Sequence, residues 1–380
     1  MKIVHVCPCL GEQLGGSERF VAHISKQQVL EHDVTVLTTT RFPSKVGDYF
    51  VDGVKINRTY APVTVWNIDP LCFIAPKISK LDADIIHVHS YLYTLSAQAI
   101  FAKRLSKKKA LLQLHGGLGP VPYRTSITRR MVKRVYDQSI GTFIFKNSDI
   151  IASVSYRDLE YVANHHCINP EKLHYVPNFV DIEQFRFKKN DLKKGKPVLL
   201  YVGDLEHWKG LNLIYDWIVN KNRESKNQFT FRFVGQGSLY SKFAQLKDKI
   251  DRQENGITIE MYGQREHCEI PSIMAESDAL VLPSYWEGLP TVILEAMASG
   301  LPVIATPVGD IPRILRNGNN GMLIRMNIDS IDSALTRILD YDPDVQTKAK
   351  RARETVETRY TLKSVNNQLD FLYSEMNASS

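Results

Sequence analysis

Short apolar runs alternate with longer amphipathic stretches along all 380 residues, and that rhythm restricts the fold more than any other feature. In the first half it predicts strands at Lys2–Cys7, Asp33–Thr38, Val54–Asn57, Ile85–His89, Leu111–Leu114 and Asp149–Val154. The second half adds Val198–Val202, Phe229–Val234, Ile257–Tyr262, Ala279–Leu282, Pro302–Ala305 and Met322–Ile324. Helical spacing fills the gaps; Phe20, Val21, Ile24 and Gln28 share one face. Such alternation argues for parallel sheets with helices on both faces. Twelve strands exceed an ordinary sheet. The polar, turn-rich run Asn190-Asp191-Leu192-Lys193-Lys194-Gly195-Lys196-Pro197 supplies a break. The expected class is therefore α/β, with two doubly wound parallel-sheet (Rossmann-like) domains, 1–190 and 191–358, facing across a cleft. Ligands in such sheets sit beyond the carboxyl ends of the strands.

Composition narrows the class. Apolar residues at 43% and charged residues at 23% exclude disordered, collagen-like and coiled-coil chains. Cys7, Cys9, Cys72, Cys167 and Cys268 are odd in number and scattered, which fits a reducing compartment rather than a disulfide framework. Met1–Cys7 is too short and polar for a signal-peptide core. The longest uncharged stretch, Ile85–Ala102, carries His87, His89, Ser90 and Gln98 and does not read as a membrane span. A cytoplasmic protein is expected.

The net charge of +7 is unevenly placed: residues 1–190 hold 25 basic against 16 acidic side chains, residues 191–380 hold 23 against 25. Between 101 and 134 stand Lys103, Arg104, Lys107, Lys108, Lys109, Arg124, Arg129, Arg130, Lys133 and Arg134, with no acidic residue. A solvated helical face is one reading. The other is an anionic membrane surface, with Val121, Tyr123, Ile127, Met131 and Val132 as apolar partners, which would place the protein peripherally at the inner face of a membrane. Nucleic acid is not expected, because no recognition motif or aromatic run accompanies the charge.

The richest chemistry lies in Leu280–Glu295. A buried strand ends near Ser284, a loop carries Glu287 and Gly288, and Pro290 suits the first turn of a helix that stops at Gly300. The free N–H groups of such a helix attract an anion such as phosphate. Glu287 and Glu295 would reach different parts of one bound molecule, and carboxylates accept pairs of hydroxyl hydrogen bonds. A surface helix with an N-terminal Glu favouring the dipole is the plainer reading.

Glu287 through Glu295 resembles the E-x7-E motif of the retaining glycosyltransferases of family 4, which have the GT-B fold. Further matches follow in the family's order. They are Gly15-Gly16-Ser17-Glu18, the strand Asp84-Ile85-Ile86-His87-Val88-His89, His115-Gly116, Val176-Pro177-Asn178-Phe179-Val180-Asp181 with Phe185, and Tyr201-Val202-Gly203 with Lys209-Gly210. Together they cover nearly the whole chain.

The resemblance implies roles. Lys209 would clamp the donor diphosphate, whose charge grows in the transition state. His115 would contact the donor sugar near the reacting carbon, Glu287 would hold sugar hydroxyls and Glu295 the ribose. Gly15 and Gly16 would let the backbone approach phosphate, although a plain strand-to-helix turn would also use them. Gly203, Gly235 and Tyr262 would line the nucleotide, with Gly288, Leu289, Pro290 and Thr291 around the phosphates. One position departs: the Arg usual after the glycine is Asp204, which either faces away or is offset by another cation such as Arg265. Residues 359–380, with an amphipathic helix over Thr361–Met376, would cross back onto the first domain.

Three stretches mimic other sites. Gly235-Gln236-Gly237 lacks the third glycine of a dinucleotide fingerprint, having Tyr240 there. Asp82-Ala83-Asp84 spells a metal-binding D-x-D but stands at the start of a strand. His165-His166-Cys167 has no zinc spacing. No metal or other cofactor is expected.

The implied activity is a hexosyl- or acetylhexosaminyl-transfer from a nucleotide-diphosphate sugar to a glycan or lipid-linked acceptor, suited to cell-surface polysaccharide biosynthesis. Two rivals are a sugar-nucleotide 2-epimerase of similar fold and a non-catalytic sugar-nucleotide or membrane-surface binding protein.

Overall fold

A computed structural model describes residues 1–8, 16–65, 69–106, 108–116, 118, 127–187, 195–223, 228–253 and 256–378. It divides into two compact units, Met1–Asn178 with Leu362–Ser380, and Phe179–Thr361.

Unit 1 holds strands β1 (Lys2–Val6), β2 (Asp33–Thr40), β3 (Gly47–Val51), β4 (Val54–Tyr60), β5 (Val63–Val65), β6 (Asp69–Leu71), β7 (Ile85–His89), β8 (Lys109–Leu114), β9 (Ile150–Ser153) and β10 (Leu173–Tyr175). Eight of them form one sheet in the order β10-β9-β8-β7-β1-β2-β4-β3, all parallel except β3, which runs antiparallel to β4. The β5–β6 pair stands apart as a short antiparallel ribbon. Strand β7 is buried at every position, as befits a parallel strand covered on both faces. Strand β3 goes beyond the expected set because its residues are half-exposed and weakly patterned. Its signal was the Asp52-Gly53 turn, both residues at positive φ, which closes a tight hairpin.

The first helix, Gly16–Gln28, buries Phe20, Val21, Ile24 and Gln28 on the predicted face. The final helix, Leu362–Ala378, belongs to this same unit. It packs against the first through Gln28 and Tyr373 (3.2 Å), and His32, just past that helix, meets Asp370 (3.1 Å).

Unit 2 holds β11 (Val198–Val202), β12 (Phe229–Val234), β13 (Ile257–Gly263), β14 (Ala279–Leu282), β15 (Val303–Ala305) and β16 (Met322–Leu323). They pair in parallel as β13-β12-β11-β14-β15-β16, the doubly wound order of dinucleotide-binding sheets. Trp217, Phe229, Phe231, Phe233 and Phe243 fill the core beneath β11 and β12.

The unit begins at Phe179, ahead of the expected 190/191 boundary. The segment after Asn178 is held by tertiary contacts that its polar sequel concealed. Val180 bridges Thr361, Phe185 is buried, and Arg353 donates to the Phe185 carbonyl at 3.0 Å.

Candidate functional site

In unit 2 the strand order reverses between β11 and β14, so their carboxyl ends flank the crevice where such sheets bind ligands. The two loops there are pressed together. Gly210 sits at φ +70°, and a Cβ on it would lie 1.7 Å from the Pro283 carbonyl oxygen, so no side chain fits. Tyr285 N–H donates to the Trp208 carbonyl at 2.9 Å across the same seam. This closeness brings Lys209 to Glu287, with Nζ 2.6 Å from Oε1. The Ser284 hydroxyl donates to that same oxygen at 2.7 Å. Both partners are largely buried, so the pair is screened less than a surface one.

The neighbouring loops lace onto this seam. Gly203 N–H donates to Val234 O at 3.0 Å and Gly235 N–H to Gly263 O at 2.8 Å. A Cβ on Gly235 would meet the Gly203 carbonyl oxygen at 1.9 Å, a second place where backbone approaches backbone too closely for any side chain. Gly288 O accepts from Asp310 N–H at 3.1 Å, and Leu289 is buried behind it. The helix Thr291–Ala298 starts one residue later than expected: Pro290 is its N-cap, in extended conformation, and offers no side-chain cap. Proline has no hydrogen-bonding side chain, so it gives the first N–H groups no side-chain acceptor, although its carbonyl accepts from Ile293 N–H at 3.2 Å. Gly300, at φ +71°, ends the helix as predicted.

Glu295 faces a partner that sequence reasoning missed: His267 Nε2 lies 2.9 Å from its Oε1. His267 opens the short turn His267–Glu269, fixed by a capping box between Glu266 and Glu269. No local spacing marks it, since the contact spans 28 positions. Tyr262, on β13, has its ring between two guanidinium groups, Arg232 at 4.8 Å and Arg265 at 5.2 Å from the centroid. Arg265 also pairs with Glu269 at 3.2 Å, so its charge is already engaged. Asp204 is an exposed residue whose carbonyl accepts from the Tyr201 hydroxyl at 2.7 Å.

Unit 1 holds the other predicted residues. His115 follows β8 directly, and Gly16 is the first residue of its helix; Gly15 lies outside the described residues. His115 Nε2 lies 3.0 Å from His89 Nδ1, and its ring stands edge-on to Phe20. Burial pushes the His115 imidazole down to about 4. The histidines of β1 and β7 alternate inward; His5, His87 and His89 bring nitrogens within 4.8 Å of one another, as do Glu31, His32 and Asp370 with their ligand atoms. His5, however, spends both nitrogens on His89 and Gln28.

The mimics resolve simply. Asp82 pairs with Lys2 Nζ and Asp84 accepts from Lys2 N–H at 2.8 Å, both at the amino ends of β1 and β7, opposite the ligand end. His165 bonds Tyr161 O and His166 bonds Thr142, each within its own surroundings.

Of the basic region, Lys107 and Arg124 and the side chain of Arg129 lie outside the described residues. Lys103 is tied to Asp149 and Lys133 to Asp137, so part of the run is structural. The helix Ile127–Tyr136 exposes Met131, Val132 and Val135 beside Arg130 and Arg134. No helix among the described residues is long and apolar enough to cross a membrane.

Comparison with known proteins adds a second line. The model described as glycosyltransferase family 4 matches residues 14–184, and that of glycosyl transferases group 1 matches residues 182–355. The chain is 28% identical over 351 residues to the UDP-Gal:α-D-GlcNAc-diphosphoundecaprenol α-1,3-galactosyltransferase of Escherichia coli, covering 87% of this chain and 86% of that one. It is 29% identical over 252 residues to an uncharacterised 41.2 kDa protein in the cps region of Klebsiella pneumoniae, covering 63% of this chain and 65% of the other's length. Among solved structures, HepE of Anabaena in complex with UDP superposes with a TM-score of 0.74 at 19% identity, over 99% of this chain and 100% of that one.

Proposed function

This chain belongs to the glycosyltransferases of family 4 and GT-B fold, and on that premise we propose that it moves a hexose or N-acetylhexosamine from a uridine-diphosphate sugar to a lipid-linked glycan with retention of configuration. The observation that carries the reading is the Lys209–Glu287 pair at the β11/β14 switch point, beside the uncapped start of the Thr291–Ala298 helix. A cation and free N–H groups there oppose the two phosphates of a donor. Glu287 can exchange its ammonium partner for sugar hydroxyls, and Glu295, steadied by His267, can take the ribose. Uridine and the lipid-linked acceptor are supported by the E. coli relative's substrates and, for uridine, by the UDP in HepE.

Retention fits attack from the face the leaving group departs from. The acceptor hydroxyl oxygen bonds to the sugar's anomeric carbon while the carbon–oxygen bond to phosphate breaks, and the hydroxyl proton passes to the leaving phosphate oxygen. Catalysis then rests on positioning and charge stabilisation. Lys209 supplies the cation, so the reaction is proposed to need no metal; turnover should survive dialysis against a chelator.

The experiment is thermal unfolding with UDP, GDP, ADP and dTDP at one matched concentration. A nucleotide at 100 times its dissociation constant adds about 2.7 kcal/mol, several degrees in the midpoint. A shift with UDP alone supports the reading, and no shift with any of the four overturns it. Incubating the donor without acceptor separates a 2-epimerase, which would convert it, from a transferase.

A further feature suits the lipid-linked acceptor. The Ile127–Tyr136 helix pairs exposed apolar side chains with Arg130 and Arg134, the pattern of a helix lying in an anionic membrane surface.

A further inference from the structure

Six buried or half-buried polar side chains of unit 1 form one continuous hydrogen-bonded chain. It runs from His115 to His89 (3.0 Å), on to His5 (2.9 Å), to Gln28 (2.8 Å), to Tyr373 (3.2 Å) and to His87 (2.6 Å). The bond directions are not independent. Gln28 Oε1 can only accept, so His5 Nε2 carries the hydrogen. A neutral imidazole has a single N–H, so His5 Nδ1 must accept, and it accepts from His89 Nε2. By the same step His89 Nδ1 accepts from His115 Nε2, which leaves His115 Nδ1 as a bare lone pair. In the other direction Gln28 Nε2 donates to the Tyr373 hydroxyl, whose own hydrogen goes to His87 Nδ1.

Burial supports the neutrality this deduction needs: His5 and His115 are pushed down to about 4, and His87 and His89 well below the ordinary histidine value. The two ends, His115 Nδ1 and His87 Nε2, are buried atoms without a partner among the described residues.

We propose that this chain is a relay that sets a tautomer: Gln28 and Tyr373, acting through His5 and His89, hold His115 with Nδ1 as an acceptor for a ligand hydroxyl. The inference rests on the reading that His115 meets the donor sugar. The four intermediaries are positioning residues. Their effect is to fix the bond's direction: this tautomer accepts the hydroxyl hydrogen and leaves the hydroxyl oxygen free to accept elsewhere, whereas the opposite tautomer would present an N–H that donates to that oxygen.

The test is long-range proton–nitrogen NMR on the full chain labelled with ¹⁵N-histidine, with His115 assigned by loss of its signals in His115→Ala. At neutral pH the expected signature is a protonated Nε2 and a pyridine-like Nδ1 at His115. The reverse tautomer, or a doubly protonated ring, overturns the proposal. Gln28→Leu should turn the single tautomer into a mixture from three hydrogen bonds away, and should cut kcat/KM about tenfold, the scale of one lost hydrogen bond. Tyr373→Phe removes one hydroxyl only and should move the His115 signals the same way, so it serves if Gln28→Leu does not fold. Signals unmoved in the variant that folds would show mere packing and overturn the relay. Full transfer activity in His115→Ala with the tautomer result intact would instead strike the ligand contact of His115, and with it the relay's part in transfer.

Discussion

Lys209 Nζ lies 2.6 Å from Glu287 Oε1, joining two loops 78 positions apart. Each residue limits the other: the ammonium neutralises the carboxylate, and the carboxylate keeps the ammonium at the switch point. Lys209→Ala should lose on the order of 10²-fold in turnover, the usual scale for one preorganised charge stabiliser. Steady-state transfer assays check this, and near-wild-type turnover would remove Lys209 from the mechanism. Glu287→Gln should instead release the ammonium, so UDP binding by calorimetry should hold or tighten while transfer falls.

Gly210 is the steric keystone of that seam. Alanine there would put its Cβ 1.7 Å from the Pro283 carbonyl oxygen, at a φ of +70° that alanine also disfavours. Gly210→Ala should cost about 3 kcal/mol or more and separate the two loops. A urea melt within error of wild type would show the seam to be looser than described.

Stability should fall in mild acid. His5 is fully buried and held at about 4, against about 6.5 in the unfolded chain, so between those values the unfolded state takes a proton the folded state refuses. Its contribution is complete above 6.5 and is lost as pH falls towards 4, by up to on the order of 3 kcal/mol. Urea melts at about pH 7 and about pH 5 should show the drop, and His5→Gln should shrink it. An identical pH slope in that variant would place the acid sensitivity elsewhere.

The Ile127–Tyr136 helix should hold the protein to anionic vesicles. Reversing Arg130 and Arg134 to glutamate, or replacing Met131 and Val135 by serine, should reduce co-flotation with phosphatidylglycerol vesicles and leave neutral ones unaffected. Flotation that ignores both changes would assign the helix to a solvated face.

Much of the fold was legible because its signals are local. Every expected strand is present; Ile85–His89, Val198–Val202, Phe229–Val234 and Ala279–Leu282 keep their expected bounds, while others shift, as where Asp33–Thr38 extends to Thr40 and Val54–Asn57 to Tyr60. The edge strand β3 escaped because an edge needs no continuous apolar run. Glu287 and Lys209 could each be singled out from their own loops. Their mutual contact could not, nor could His267, which no spacing ties to Glu295. The H-x-H of β7 was visible as a motif, but not that it meets His5 on one side and Tyr373 on the other.

By itself, then, the sequence determined that two parallel sheets form and at which strand ends the candidate residues stand, because apolar periodicity and turn residues act over a few positions. Only the tertiary structure decided which groups meet. Lys209 with Glu287, and Gln28 with Tyr373 across 345 positions, are brought together by strand order and by a final helix that packs on the first. Local spacing carries no record of such a pairing, because the distance between strand-end loops is set by the packed sheet rather than by the chain between them.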